Sequence, residues 1–185
     1  MASTYTDLGL ELMFTGENSG TWGDKTNENL QLIQQALAGY EAVTVSGTGT
    51  TALAITDATI SNGRNAVIKL TGTITGNIIV TIPDSTEKLY TIINGTVGVF
   101  TVQFKTVSGT GFTFAAADKG TRLAYSDGTN VVDVNSLFTT INALTLPTTT
   151  GSSGDAIVTD GSGTLSFAQA GISTGKAIAM AIVFG

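Results

Sequence analysis

The stretch 42–134 breaks every few residues at Gly, Asn, Asp or Pro, and between the breaks apolar and polar side chains alternate. A helix needs apolar residues at three- and four-residue spacing over several turns, so this pattern dictates short strands closed by tight turns instead. The expected strands are 43–46, 52–55, 65–70, 77–82, 88–94, 100–106, 120–126 and 130–134. In 66–71, Ala66, Ile68 and Leu70 fall on one face and Val67, Lys69 and Thr71 on the other, which leaves one face apolar. Ser61-Asn62-Gly63, Asn94-Gly95 and Ser126-Asp127-Gly128-Thr129 supply residues that tolerate positive φ, as hairpin turns require. Pro83 cannot donate to a ladder, so a strand should stop there. The series predicts a mainly β protein whose body is an antiparallel β-sandwich or barrel.

Ahead of this body the period changes. Leu30, Ile33, Leu37 and Tyr40 recur at a three-then-four spacing, with Gln31, Gln34 and Gln35 between them. This predicts a helix over 24–40 with a narrow seam of coiled-coil type. Asp24 is the candidate N-cap and Gly39 the candidate stop. A helix of this length is marginal alone in water, so its seam must pack on something.

Beyond 134 the pattern loosens. Residues 136–142 read as a short helix and 146–154 (LPTTTGSSG) as a connector. Residues 156–159 and 164–168, joined by Asp160-Gly161-Ser162-Gly163, read as a hairpin that needs a partner surface. The last stretch, 172–185, sets Ile178, Met180, Ile182 and Phe184 against alanines and Val183, an apolar tail expected to be buried between subunits. The expected organisation is therefore an N-terminal attachment segment 1–41, a β-domain 42–135, a linker 136–153, and a hairpin with an oligomerisation tail at 154–185.

Composition narrows what such a chain can do. Charged residues make up 12% of it and hydrophobic ones 42%, so the surface is neutral and rich in hydroxyls rather than disordered. Eight scattered basic residues against fourteen acidic ones, a net charge of -6, disfavour nucleic acid and anionic membrane as partners. With no cysteine and no histidine, disulfides, thiolate nucleophiles, the usual zinc ligand sets and the commonest general base are excluded. No cofactor and no metal site is expected. Residues 1–10 lack the features of a signal peptide. The longest apolar run, 177–184, falls well short of the about 20 residues that span a bilayer, so a soluble protein is expected.

One resemblance emerges from these blocks. Phe14-Thr15-Gly16-Glu17-Asn18-Ser19-Gly20-Thr21-Trp22-Gly23-Asp24-Lys25-Thr26-Asn27, followed by Asn29-Leu30, Ile33 and Gly39-Tyr40, resembles a segment near the start of bacteriophage tail-fibre-like virion proteins. Three later blocks look like the β-domain that follows it there. These are Arg64-Asn65-Ala66-Val67-Ile68-Lys69-Leu70-Thr71-Gly72, Lys88-Leu89-Tyr90-Thr91-Ile92-Ile93-Asn94 and Tyr125-Ser126-Asp127-Gly128-Thr129-Asn130-Val131-Val132. The similarity covers about the first 135 residues. It implies a structural protein of a tailed-phage virion, most naturally on the tail. It also implies a homotrimer, with other virion proteins as partners and Trp22, Gly23 and Asn27 in the attachment segment. Members of that family often carry a receptor-binding region after the β-domain, where this chain has only a hairpin and a tail. A scaffold, adaptor or capsid decoration (cement) role therefore stands beside that of a short fibre binding a host surface glycan.

Enzyme-like signals are weak by comparison. Glycan cleavage needs two carboxylates flanking a bond, and Asp127, Asp133, Asp155 and Asp160 are available. Asp127 and Asp160 each precede a Gly, however, where Asp serves the turn itself. Gly171 to Ala177 is one residue short of a phosphate loop and has Ala177 where Ser or Thr is needed. No acidic ligand series follows Asp160 to complete a calcium loop. Asn94-Gly95-Thr96 has the form of a glycosylation site, of no consequence in a bacterial host. Trp22 could stack on a sugar, but its size favours a wedge between the helix start and the body or a neighbouring subunit. Phe100, Phe104, Phe112 and Phe114 read as core, and Tyr5 as an interface residue. No enzymatic activity is expected. The expected interface is Leu30, Ile33, Leu37, Tyr40, Ile178, Met180, Ile182 and Phe184.

Overall fold

The computed structural model describes residues 3–134, 140–141, 144–147, 149–169 and 182–183. The chain divides into two compact units, Met1–Asn135 and Ser136–Gly185. The first opens with a small ladder of β1 (Thr4–Tyr5) and β2 (Glu11–Leu12), then α1 (Trp22–Ala38). Its body contains β3 (Tyr40–Thr44), β4 (Gly47–Ala52), a 3-10 turn (Asn62–Arg64), β5 (Val67–Thr71), β6 (Ile74–Ile82) and β7 (Glu87–Asn94). It continues with β8 (Val102–Thr106), β9 (Gly111–Phe114), β10 (Thr121–Asp127) and β11 (Val131–Asp133). These form a five-stranded sheet, β11-β10-β7-β5-β3, and a four-stranded sheet, β4-β6-β8-β9, neither closed into a barrel. The mainly β, sandwich-like class with a single helix holds.

Strand direction is the correction. β3, β5 and β7 run parallel, as do β4, β6 and β8; only β9, β10 and β11 join antiparallel. The reason lies in the turns. After β3, β5 and β7 the chain bends into the other sheet instead of doubling back, so each strand pairs with its equivalent one coil later. Tyr40 sits beside Val67, and Val67 beside Thr91. The bends are themselves laddered. The Val45 amide donates to the Thr71 carbonyl at 2.8 Å, and the Val97 amide to that of Gly72 at 2.9 Å. Gly72 has φ +104°, and a Cβ there would lie 2.4 Å from the Val45 carbonyl oxygen, so no other residue fits the bend. Asn94-Gly95 is thus a corner between sheets and Ser61-Asn62-Gly63 leads into the 3-10 turn, while Ser126 to Thr129 closes a true hairpin. The body is a stack of three coils, the arrangement of a short β-solenoid.

Apolar side chains alternating inward fill the space between the sheets: Ile68 and Leu70 from β5, Val80 and Ile82 from β6, Tyr90 and Ile92 from β7, Val102 and Phe104 from β8. Phe104 and Phe114 are fully buried, with Phe100 and Phe112 packed against the cluster, as their spacing predicts. β6 stops at Ile82, before Pro83. The last coil is sealed by strands that run back along it. The Val131 amide donates to the Thr110 carbonyl at 2.9 Å, and the Thr110 amide to Asn130 Oδ1 at 2.9 Å, tying the β11 side to the β9 side. Arg122 bridges Asp118 at 2.6 Å and Asp133 at 2.5 Å across the same region.

In the second unit, β12 (Thr140–Ile141) pairs with β13 (Leu144–Thr145), so this part of 136–142 is strand rather than helix. The β-branched Thr140 and Ile141 suit an extended ladder better than a helical turn. The expected hairpin is present as β14 (Asp155–Thr159) and β15 (Leu165–Gln169), with Gly161 at φ +78° in its turn. Of the expected tail, Ile182 and Val183 are exposed; Ile178, Met180 and Phe184 lie outside the described residues, as does the 171–177 loop.

Candidate self-association surface

Helix α1 starts two residues before Asp24. The Asp24 amide donates to the Thr21 carbonyl at 3.0 Å, and Thr21 is the N-cap, without a side-chain cap bond. The loop ahead of it, with Gly16, Asn18 and Gly20 all at positive φ, turns the chain into the helix early. Asp24 instead supplies negative charge in the first turn, which the helix dipole favours. Gly39 ends the helix in an extended conformation, and only Gly fits there, since a Cβ would meet Asn65 Oδ1 at 2.3 Å and the Gln35 carbonyl at 2.4 Å.

The helix hangs on the body mostly by polar side chains. Asn29 takes the Glu11 amide on its Oδ1 and donates Nδ2 to the Glu11 carbonyl, both at 2.9 Å. Lys25 pairs with Glu28 at 2.9 Å and faces Glu11 at 3.9 Å. The Glu11 carboxyl is held below its usual range, chiefly by the Ser3 hydroxyl, then by Asn18 and Lys25. Gln35 Oε1 accepts from Arg64 Nη1 at 3.1 Å. Leu32 is the one helix side chain buried.

Arg64 is the hub of this anchorage and gives no sign in the sequence. Fully buried, it donates to the carbonyls of Leu8 (2.7 Å), Thr59 (2.6 Å) and Thr56 (2.6 Å) besides Gln35. Burial lowers its pKa, opposed by Asp57. Beneath it Tyr90 Oη donates to the Gly63 carbonyl at 2.9 Å, and burial pushes that phenol up. Lys88 Nζ donates to the Arg64 and Asn65 carbonyls and lies 4.3 Å from the centre of the Tyr90 ring. Burial, then the neighbouring Arg64 charge, brings the Lys88 ammonium down to about 8.

With positions 25, 29, 32 and 35 turned to the body, the seam faces outward. Leu30 is 57% exposed, Ile33 39% and Leu37 77%. Tyr40 does not continue the helix, since Gly39 ends it; it begins β3, 57% exposed. There it heads a cross-strand row of Tyr40, Val67, Thr91 and Leu123 on the outer face of the five-stranded sheet. Leu89, Tyr125 and Val132 form a second such row. Leu37, Leu89 and Leu123 line a groove of about 420 Å³ floored by Tyr90 and Lys88, which joins the helix seam to the sheet face. Alternation places Val67 on the outer face, but which residues lie beside it depends on strand order, which local pattern does not carry.

The attachment residues share one character. Trp22 is 65% exposed, so it is not wedged against the body; Asn27 is exposed, and nothing within 4 Å would meet a Cβ on Gly23. Tyr5 is 38% exposed. The candidate carboxylates serve their turns or ion pairs. Asp127 Oδ1 accepts the amides of Thr129 and Asn130, and Asp160 Oδ1 those of Ser162 and Thr164. These bonds hold both carboxyls below their usual range. Asn94 is buried and accepts from the Thr96 hydroxyl at 2.7 Å. Among the described residues no three acidic, His or Cys side chains gather as a metal site, and no helix is long and apolar enough to cross a membrane. No family model, curated protein or solved structure matches the chain.

Proposed function

We propose that this chain is a structural component of a tailed-bacteriophage virion, tail-fibre-like, which assembles as a homotrimer through the seam of α1. The observation that supports this reading is the helix turned inside out. Its polar residues anchor it and its apolar residues meet solvent, a cost in water that a packed partner removes. The trimer and the place on the particle come from the resemblance of the first 135 residues. The chain acts by packing and attachment, with other virion proteins as its partners and Trp22 and Asn27 at the point of contact.

Light scattering tests the assembly. The native chain should measure a multiple of three protomers, and Leu30→Asp with Ile33→Asp should lower that mass; an unchanged mass would remove the proposal. Attachment is better tested by Trp22→Ala with Asn27→Ala than by truncation, because removing residues 1–40 would strip Leu8 and Gln35 from Arg64. Loss of the doubly substituted chain from purified particles is expected.

A further inference from the structure

The two ends of the coil stack are built differently. At the β9 and β11 end, the sheets are tied to each other through Thr110, Asn130 and Val131. At the other, β3 and β4 are terminal strands as β11 and β9 are, but among the described residues nothing pairs with their outer edges and no hydrogen bond ties the two together. The hydrogen bonds fix what those edges offer. The Val45 amide reaches inward to Thr71, and the Gly39 carbonyl accepts the Val67 amide. Strand alternation then points the amides and carbonyls of Ala42 and Thr44 outward. Natural sheets guard such edges with Lys, Pro or inward charges. Neither Lys nor Pro occurs in β3 or β4, and β4 (GTGTTA) has no charge at all; its one irregularity is a register shift between Gly47 and Gly49, which leaves Thr50 to Ala52 in regular ladder.

We infer that the open end is a second interface, filled by the same end of another copy, so that both sheets run continuously from one protomer into the next. Three observations select a second copy. A two-fold axis through the sandwich sets β3 against β3 and β4 against β4, both antiparallel, so one copy satisfies both edges at once. At the far end the Val131 amide is already bonded to Thr110, so the open ends meet like to like and the contact closes as a pair. Charge permits the approach in a protein of net charge -6, because β3 and β4 together hold one carboxylate, Glu41. With Ala42 opposite Ala42 of the second copy, Glu41 faces Val43 and Tyr40 faces Thr44, and no like charges meet. This contact is separate from the α1 seam and does not depend on the virion reading.

The test removes the seam first. The Leu30→Asp, Ile33→Asp chain should measure two protomers by light scattering at high concentration and one on dilution. Adding Ala42→Lys and Thr50→Lys, both exposed outward positions, should leave one protomer at every concentration, with an unchanged circular dichroism spectrum. A seam-less chain that is monomeric throughout, or one whose mass ignores the added lysines, overturns the inference. Hydrogen exchange on the seam-less chain alone gives an independent reading. The Ala42 and Thr44 amides should slow at least tenfold as concentration rises, and fast exchange throughout would overturn the proposal as well.

Discussion

The coil stack and the helix of the first unit use apolar residues in opposite ways. In the stack, Ile68, Leu70, Val80, Ile82, Ile92, Val102 and Phe104 are all fully buried. In α1, Leu30, Ile33 and Leu37 are exposed and only Leu32 is buried. The interior of the stack is thus self-sufficient, whereas the helix is held in place by hydrogen bonds and, like the outer rows of the five-stranded sheet, leaves apolar side chains in solvent. Regular hydrophobic spacing shows that a face exists; the side on which polar anchors sit decides whether that face is core or contact surface.

Substitutions can break or sharpen this contrast. Phe104→Ala should be the most damaging, about 3–5 kcal/mol by denaturant titration, because the emptied site between Tyr90 and Phe112 is walled by strands and cannot collapse. Arg64→Met should follow at about 3 kcal/mol, since it leaves the Leu8, Thr56 and Thr59 carbonyls without their donor. Its distinctive mark is faster amide exchange in residues 3–12 than in β5 to β8.

Lys88 adds a pH signature. Its folded pKa of about 8 lies below the ordinary lysine value of 10.5, so the folded state gives up this proton first as the solution becomes alkaline. Stability should therefore rise between about pH 8 and 10.5, by an amount on the order of 1 kcal/mol after allowance for the partial exposure of the side chain. Lys88→Met should flatten that slope. The smallest effect on the protomer belongs to Leu30→Asp with Ile33→Asp, within about 0.5 kcal/mol, because both side chains lie on the exposed face of the helix. Should they instead destabilise it as strongly as Arg64→Met, the helix is part of the core and the contrast fails.

Much of this was legible in the residues. Although β4 lies at Gly47–Ala52 instead of the expected 52–55, the helix, most of the body strands, the aromatic core and the Asp160 hairpin follow from local pattern. Strand direction does not, because a corner between sheets and a hairpin within one ask for the same Gly and Asn residues, as Asn94-Gly95 shows. β9 is hidden by the glycine that opens it, which contact demands: a Cβ on Gly111 would sit 2.0 Å from the Phe104 carbonyl oxygen. β1 and β2 are two residues long, too short for any period to register. Arg64 could not be read at all, since its partners come from Leu8, Gln35, Thr56 and Thr59 and no local signal marks it as buried. The outward face of α1 was read correctly as apolar, but its anchors Asn29 and Gln35 looked like ordinary solvated positions.

The sealed end of the stack bears on how the chain is made. Synthesis runs from the open coil toward the sealing strands, so while β7 and β8 emerge from the ribosome their outer edges have no neighbours. β9, β10 and β11 arrive only when about 27 further residues have been added, a delay of a few seconds at about 5–20 residues per second. During that interval the nascent chain exposes the unpaired edges of β7 (EKLYTIIN) and β8 (VQFKT), and two ribosomes translating one message bring such edges close together. Stalling translation between residues 106 and 121 should thus favour aggregates of nascent chains, whereas completion through Asp133 closes the edge within the same molecule.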